Sequence, residues 1–264
     1  MTMTAILQHQ IPYDPFAAPR LPGISPLDPR AWLHVDDAFA AQMAERARLL
    51  DERRDEVLRL DPAARPAARE LLDMILEHLS AAPGYGVEKE SVLRPDGRRV
   101  RLDRDDPLGT AGLLVQEDLC LMEKRGAEHV LTGAALCFPA SWRLDEKFLR
   151  PLLGIHRPVA EYDADLARRV QRLFDGVRPG RPLWRFNALW YEDPALFQPK
   201  SEADRRAHVR GDAPFLRSER QSVLRLPETG AAVFSIHTYV LSRASALAAR
   251  DTWSEQQRDG AERR

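Results

Sequence analysis

This sequence predicts an α+β fold built on an antiparallel sheet, and three observations lead there. Apolar residues recur with helical period between about residues 36 and 80, then with period two from residue 113 onward. Two strand-like runs are followed by a helical stretch and then by three more strand-like runs. Strands and helices do not alternate one for one, which argues against a parallel sheet. The 264 residues suffice for one large domain, or a domain with an extension, and for a core that needs no disulfide or metal staple.

The elements follow in order. Pro12, Pro15, Pro19, Pro22, Pro26 and Pro29 crowd residues 11–30, so no regular structure is expected there, only a strap along the surface. From Asp36 to about Leu60 the pattern is helical, with Phe39, Met43, Ala47 and Leu50 on one stripe. Asp61-Pro62 reads as an N-cap followed by proline at the first helical position, and Leu71, Leu72, Ile75, Leu76 and Leu79 extend that helix until Pro83-Gly84 stops it. After a probable turn at Arg94–Gly97, Leu113–Met122 and Val130–Pro139 read as a hairpin joined by EKRGAE. Arg143–Gly176 is a helical crossover broken at Gly154 and Pro158, with Leu166, Val170, Leu173 and Phe174 on one stripe. Runs 182–191, 216–227 and 231–241 complete the sheet, the last two around the Pro227–Gly230 loop. Two strands, a crossover and three strands is also the order of a PAS domain, with five antiparallel strands. The expected organisation is a strap and helical extension over 1–110, a PAS-like core over 111–245, and a polar tail over 246–264.

Charge and cysteine content narrow the chemistry. Lys plus Arg number 39 against 40 Asp plus Glu, so a generally cationic nucleic-acid surface is not expected. Lys89, Lys124, Lys147 and Lys200 are the only lysines, and the arginine excess reads first as a genomic coding bias. No run approaches the ~20 apolar residues of a spanning helix, and the first residues do not read as a secretory signal. Cys120 and Cys137 sit in apolar runs, too few for an all-cysteine iron–sulfur or zinc site, and the expected location is the cytoplasm. Nucleotide-binding glycine loops, HExxH, GxSxG and CxxC are absent from the sequence.

Candidate functional residues are polar groups on apolar strand faces. Glu117 alternates with Leu113, Val115, Leu119 and Leu121, a position that requires a partner or a function. On the third strand, Arg185 and Asn187 point opposite to Trp184, Phe186, Ala188 and Trp190. They suit a small polar ligand or bound oxygen, though from pattern alone a solvated outer face explains them better. On the fourth, Arg217, Glu219 and Arg225 share a face with Arg220 opposite, a pattern that cross-strand charge pairing also produces. None of the seven histidines pair at helical metal-ligand spacing. His156, in GIHRPV at a helix break, suits either a helix C-cap or an axial haem ligand.

At these residues a resemblance emerges. The strings LVQEDLCLM (114–122), ALCFPASW (135–142), IHRPV (155–159), RFNALW (185–190) and RSERQSVLRLP (217–227), behind PGISPLDPRAWLHVDDAFAAQMAERARLL (22–50), resemble the haem-dependent oxidative N-demethylase alpha-subunit family. The resemblance implies a PAS-fold domain that binds haem b and oxidises a small secondary N-methyl amine such as dimethylamine with O2, releasing formaldehyde. It implies electrons from NADPH through FMN and a 2Fe–2S centre on reductase and ferredoxin-type partner subunits. Carried onto this sequence, it makes His156 the iron ligand, places Arg185, Asn187, Glu219 and Arg220 as candidates on the oxygen side, and leaves Glu117 and Glu219 competing to hold the cationic amine. The sequence departs from the family pattern at Ala160, where proline is expected, at His237, where arginine is expected, and at Lys147-Phe148, where a nearby glycine is missing. His237 then reads as a second haem-side histidine or as a neutral change. A second reading is a haem-PAS gas or redox binding protein without turnover.

Overall fold

A computed structural model describes residues 5–17, 23–156, 164–201, 204, 212–250 and 252. Its strands are β1 (Ser25–Pro26), β2 (Leu58–Leu60), β3 (Gly86–Val87), β4 (Ser91–Leu93), β5 (Arg99–Arg101), β6 (Asp118–Arg125), β7 (Glu128–Ala135), β8 (Leu183–Tyr191), β9 (Phe215–Arg225) and β10 (Ala232–Ser242). Its helices are α1 (Phe39–Glu52), α2 (Arg54–Val57), α3 (Arg65–Ser80), α4 (Pro107–Leu114), α5 (Leu144–Lys147), α6 (Leu152–His156) and α7 (Ala164–Gly176). The α+β class holds.

The main sheet has seven strands, not five, in the order β1-β8-β9-β10-β6-β7-β2, and every pairing is antiparallel. The five expected strands form its centre, and β1 and β2 add the edges. Two- and three-residue strands carry no readable period, which is why they escaped the pattern. β1 forms inside the proline-rich strap because an edge strand tolerates a missing N–H. β3, β4 and β5 make a separate small sheet, with Gly97 at φ 76° in the turn between β4 and β5.

Two boundaries need correction. The run expected as a strand from Leu113 is first a helix, α4, whose residues are buried on almost every side. A segment apolar all round cannot be told from a buried strand by periodicity. Gly112 lets this helix pack closely, since a Cβ there would lie 3.2 Å from Leu50 and 3.3 Å from the Ala135 methyl. The helix expected from Asp36 to Leu60 ends at Glu52, and its tail becomes α2 and β2. Asp61 does cap as expected, accepting from the Ala63 N–H, but the turn it opens is 3-10 before α3 begins.

The sheet has two covered faces. The strap and α3 and α4 pack on one, the strap face, where Trp32, Leu71, Ile75, Leu119, Leu121, Leu224 and Val233 form one cluster. α5, α6 and α7 cover part of the other, the crossover face, through Leu144, Leu152, Ile155 and Phe174 against Cys120, Met122, Val223 and Phe234. β10 runs past the start of β6, and the strap fills the edge left beside it: the Gln8 N–H donates to Val240 O at 2.9 Å and Gln8 Oε1 accepts from the Val240 N–H at 2.8 Å. Residues 5–17 and 23–60 thus share packing with the strands of 111–245.

Candidate functional site

The alternation read for β8 holds. Trp184, Phe186, Ala188 and Trp190 pack with the strap residues Tyr13 and Phe16, so Arg185, Asn187 and Leu189 take the crossover face. Register then sets three rows across β8, β9 and β10. Arg185 lies beside Gln221 and Ile236, Asn187 beside Glu219 and Thr238, and Leu189 beside Arg217 and Val240. Antiparallel partners share a face, so six polar side chains, those of Arg185, Asn187, Arg217, Glu219, Gln221 and Thr238, meet on an otherwise apolar surface.

Their bonding is specific. Asn187 Nδ2 and Gln221 Nε2 both donate to Glu219 Oε2 at 3.1 Å, and Asn187 Oδ1 accepts from the Glu219 N–H at 3.2 Å. Glu219 is 12% exposed, and its Oε1 stands 3.8 Å from Arg217 Nε. Arg217 is otherwise committed: its guanidinium donates to Phe138 O at 2.6 Å and Leu196 O at 3.0 Å, tying two loops to the rim. The Nε of Arg185 and the Oγ1 of Thr238 are buried with no hydrogen-bond partner. Burial lowers the Arg185 pKa, opposed by the charge of Glu219. A buried cationic donor without an acceptor is costly unless something else supplies one. Arg185, Asn187, Glu219 and Gln221 are only partly covered, so the face is neither solvated nor closed.

His156 ends α6, which bridges to β7 through Pro151 and Val130 and packs Leu152 and Ile155 into the crossover cluster. It therefore lies on the same side of the sheet as Arg185, Asn187 and Glu219. Residues 157–163, with Arg157, Pro158, Val159 and Ala160, lie outside the described residues, as do 251 and 253–264 of the tail. Among the described residues, no three His, Cys, Asp or Glu side chains are placed to hold a metal ion.

Arg220 and Glu117 are on the other side. Arg220 donates to Trp32 O at 3.0 Å and Ala31 O at 2.6 Å and sits 5.3 Å from the Trp184 ring centre, clamping the strap. Glu117 precedes β6 instead of sitting within a strand, and its partner is His237, not an arginine. His237 donates from Nδ1 to Glu117 Oε1 at 2.9 Å and from Nε2 to Asp36 Oδ2 at 3.0 Å, all within the strap face. His237 thus lies on the face opposite the Asn187 cluster, where it supplies a cation between two carboxylates. Burial opposes that charge, but the bonds to Asp36 and Glu117 outweigh it and raise the pKa to about 9. The same partnership holds both carboxyls below their usual range despite burial. Neighbouring His34 is pushed down to about 4, first by burial and then by Arg220 and His237, and stays neutral.

A pH dependence follows. A raised histidine pKa gives stability fully present below about 6.5 and lost as pH rises through about 9. Melting temperature is expected to fall steadily between those values, and His237→Gln to flatten that slope; an unchanged slope in the variant would mean other groups cause it.

Arg225 also departs from its expected role. Its guanidinium caps the end of α7 at the carbonyls of Phe174 and Val177 and pairs with no strand charge. Sequence reasoning missed Gln221 and Thr238. Gln221 follows Glu219 by two and so shares its face, a signal that was available, whereas Thr238 joins only through the β9–β10 register.

No described helix is long and apolar enough to cross a membrane. A family model described as haem-dependent oxidative N-demethylase, alpha subunit-like, matches residues 23–259, nearly the whole chain and every strand of both sheets. The name carries haem dependence, an oxidoreductase reaction and a multi-subunit enzyme. With that match, the chain belongs to the haem-dependent oxidative N-demethylase, alpha subunit-like family.

Proposed function

We propose that this chain binds haem b against the crossover face of β8, β9 and β10, with His156 as axial ligand, and oxidises a small secondary N-methyl amine such as dimethylamine. The observation that carries the reading is the half-covered polar cluster on an apolar face, on the His156 side of the sheet. The residues suit the group. Leu189 is an exposed apolar side chain on the same strand face, and the buried, unpartnered Arg185 Nε is a donor in need of an acceptor. The order of the five central strands, β7-β6-β10-β9-β8, is the one a PAS-like core would have, with residues 1–110 as its extension.

Haem, when bound, supplies the oxidising chemistry at its iron. The chain's own residues bind and orient. We assign the amine to Glu219, whose Oε2 is saturated by Asn187 and Gln221 while Oε1 remains to accept an N–H from a cationic amine in low dielectric. Glu117 is engaged by His237 on the opposite face. Arg185 stabilises negative charge beside the oxidised centre. The net conversion takes amine, O2, two electrons and two protons to the demethylated amine, formaldehyde and water. With only two cysteines on this chain, both buried, the electrons come from NADPH through FMN and 2Fe–2S on partner subunits, in the cytoplasm.

The test is spectroscopic, then chemical. Haem-supplemented protein is expected to be red, with a Soret band near ~400 nm, and to release formaldehyde from dimethylamine when a reductase supplies electrons. Glu219→Gln should keep the band and lose roughly 10–100-fold in turnover, the order of a removed charge-assisted contact. Colourless protein overturns the reading; a red protein without formaldehyde favours haem binding without turnover.

A further inference from the structure

We infer that Lys147 is a positioning residue for His156, its ammonium holding the end of α6 by the Ile155 carbonyl. The inference rests on the reading of His156 as iron ligand. Lys147 ends α5 and is 3% exposed, and its Nζ donates to Ile155 O at 2.6 Å, one residue before His156. Lysine is among the residues least often buried, because removing its charge from water is costly. Here the cost is met in a chain that uses lysine at only four of its 39 basic positions. A compact ammonium on a flexible stem reaches this carbonyl as a point charge, where the arginine fork is broad and planar.

The backbone is bent to bring the two together. Leu149 adopts φ 59° between α5 and α6, and Ser141 adopts φ 64° just before α5; these are the non-glycine residues with positive φ among those described. A branched, 47% exposed leucine is disfavoured in that region. That conformation reverses the chain so that α6 folds back over Lys147, with the Leu149 N–H on Leu131 O and the Leu131 N–H on Arg150 O. α6 has five residues, too few to fix its own end, and its terminal carbonyls have no partners within the helix. A cation at that end satisfies one of them and favours the helix dipole. Lys147 therefore determines where the backbone delivers His156.

The test compares Lys147→Met, Lys147→Arg and His156→Ala in the full chain, with and without haem. Lys147→Met keeps the stem and removes the donor. Its haem-free form is expected to keep wild-type far-UV circular dichroism while amides over residues 148–156 exchange at least about tenfold faster, as loss of a charged hydrogen bond predicts. With haem, the Soret band should shift and free imidazole should displace the protein ligand at about tenfold lower concentration. Lys147→Arg should fall between. Wild-type exchange and wild-type imidazole competition in Lys147→Met, with His156→Ala still losing the band, overturn the positioning role alone. An unchanged Soret band in His156→Ala removes the ligand reading and this inference with it. If Lys147→Met does not fold, Lys147→Gln is read by the same criteria.

Discussion

Replacing His156 with alanine is expected to abolish the Soret band of the haem-supplemented protein, or to shift it, with haem affinity falling by about 100-fold or more. Removing groups that merely support a metal ligand typically costs 10–100-fold, and removing the ligand itself costs more. The fold should survive. His156 is the last residue of a short helix that packs through Leu152 and Ile155. Circular dichroism and melting temperature should therefore stay near those of the parent, and added imidazole should restore the band by occupying the vacated space. A spectrum identical to the parent's would show that the iron is held elsewhere.

The second large effect concerns stability. Asp118→Ala is expected to destabilise the chain by about 3–5 kcal/mol, the usual result of removing one partner of a buried ion pair. Asp118 accepts from Arg46 at 2.7 Å and from the N–H groups of Cys137 and Phe138 at 2.7 and 2.9 Å. Both side chains of the pair are at most 1% exposed. Arg46 also donates to the carbonyls of Gly112, Gln116 and Glu117, so one guanidinium joins α1, the end of α4 and the start of β6. Alanine would leave that cation unpaired and two backbone donors without acceptors. A melting-temperature drop of about 10 °C or more is expected for a chain of this size. The double replacement Arg46→Met with Asp118→Leu should recover only the part of the loss that comes from the unpaired cation, because the Cys137 and Phe138 N–H groups and the Gly112, Gln116 and Glu117 carbonyls stay without partners. A single variant melting within about 2 °C of the parent would mean that water or relaxation compensates.

The long strands and the amphipathic α3 were legible because each has a wet and a dry side, which imprints its period on the sequence. α4 was not, since burial all round erases the period, and β1 and β2 exist only because partners pair with them. The candidate site was half legible. Alternation paired Arg185 with Asn187 on one strand and set Glu219 opposite Arg220 on the next, but only the β8–β9 register brings Asn187 and Glu219 onto one face. Alternation could not show that Arg220 holds the strap through Ala31 and Trp32, nor that Glu117 and His237 meet, since those contacts join residues more than 100 apart. At position 237 two carboxylates need a cation, and a doubly bonded histidine serves as one.

The seat of Gln8 along β10 has a consequence for any shortened form of the protein. The family match begins at residue 23, yet residues before it close the free margin of a central strand. A chain trimmed to the match would keep every proposed site residue and uncover a row of unpaired main-chain donors and acceptors, the kind of edge on which strands of neighbouring molecules add. Loss of that cover is therefore expected to promote self-association while leaving the proposed site intact, which size-exclusion chromatography of the trimmed chain would show.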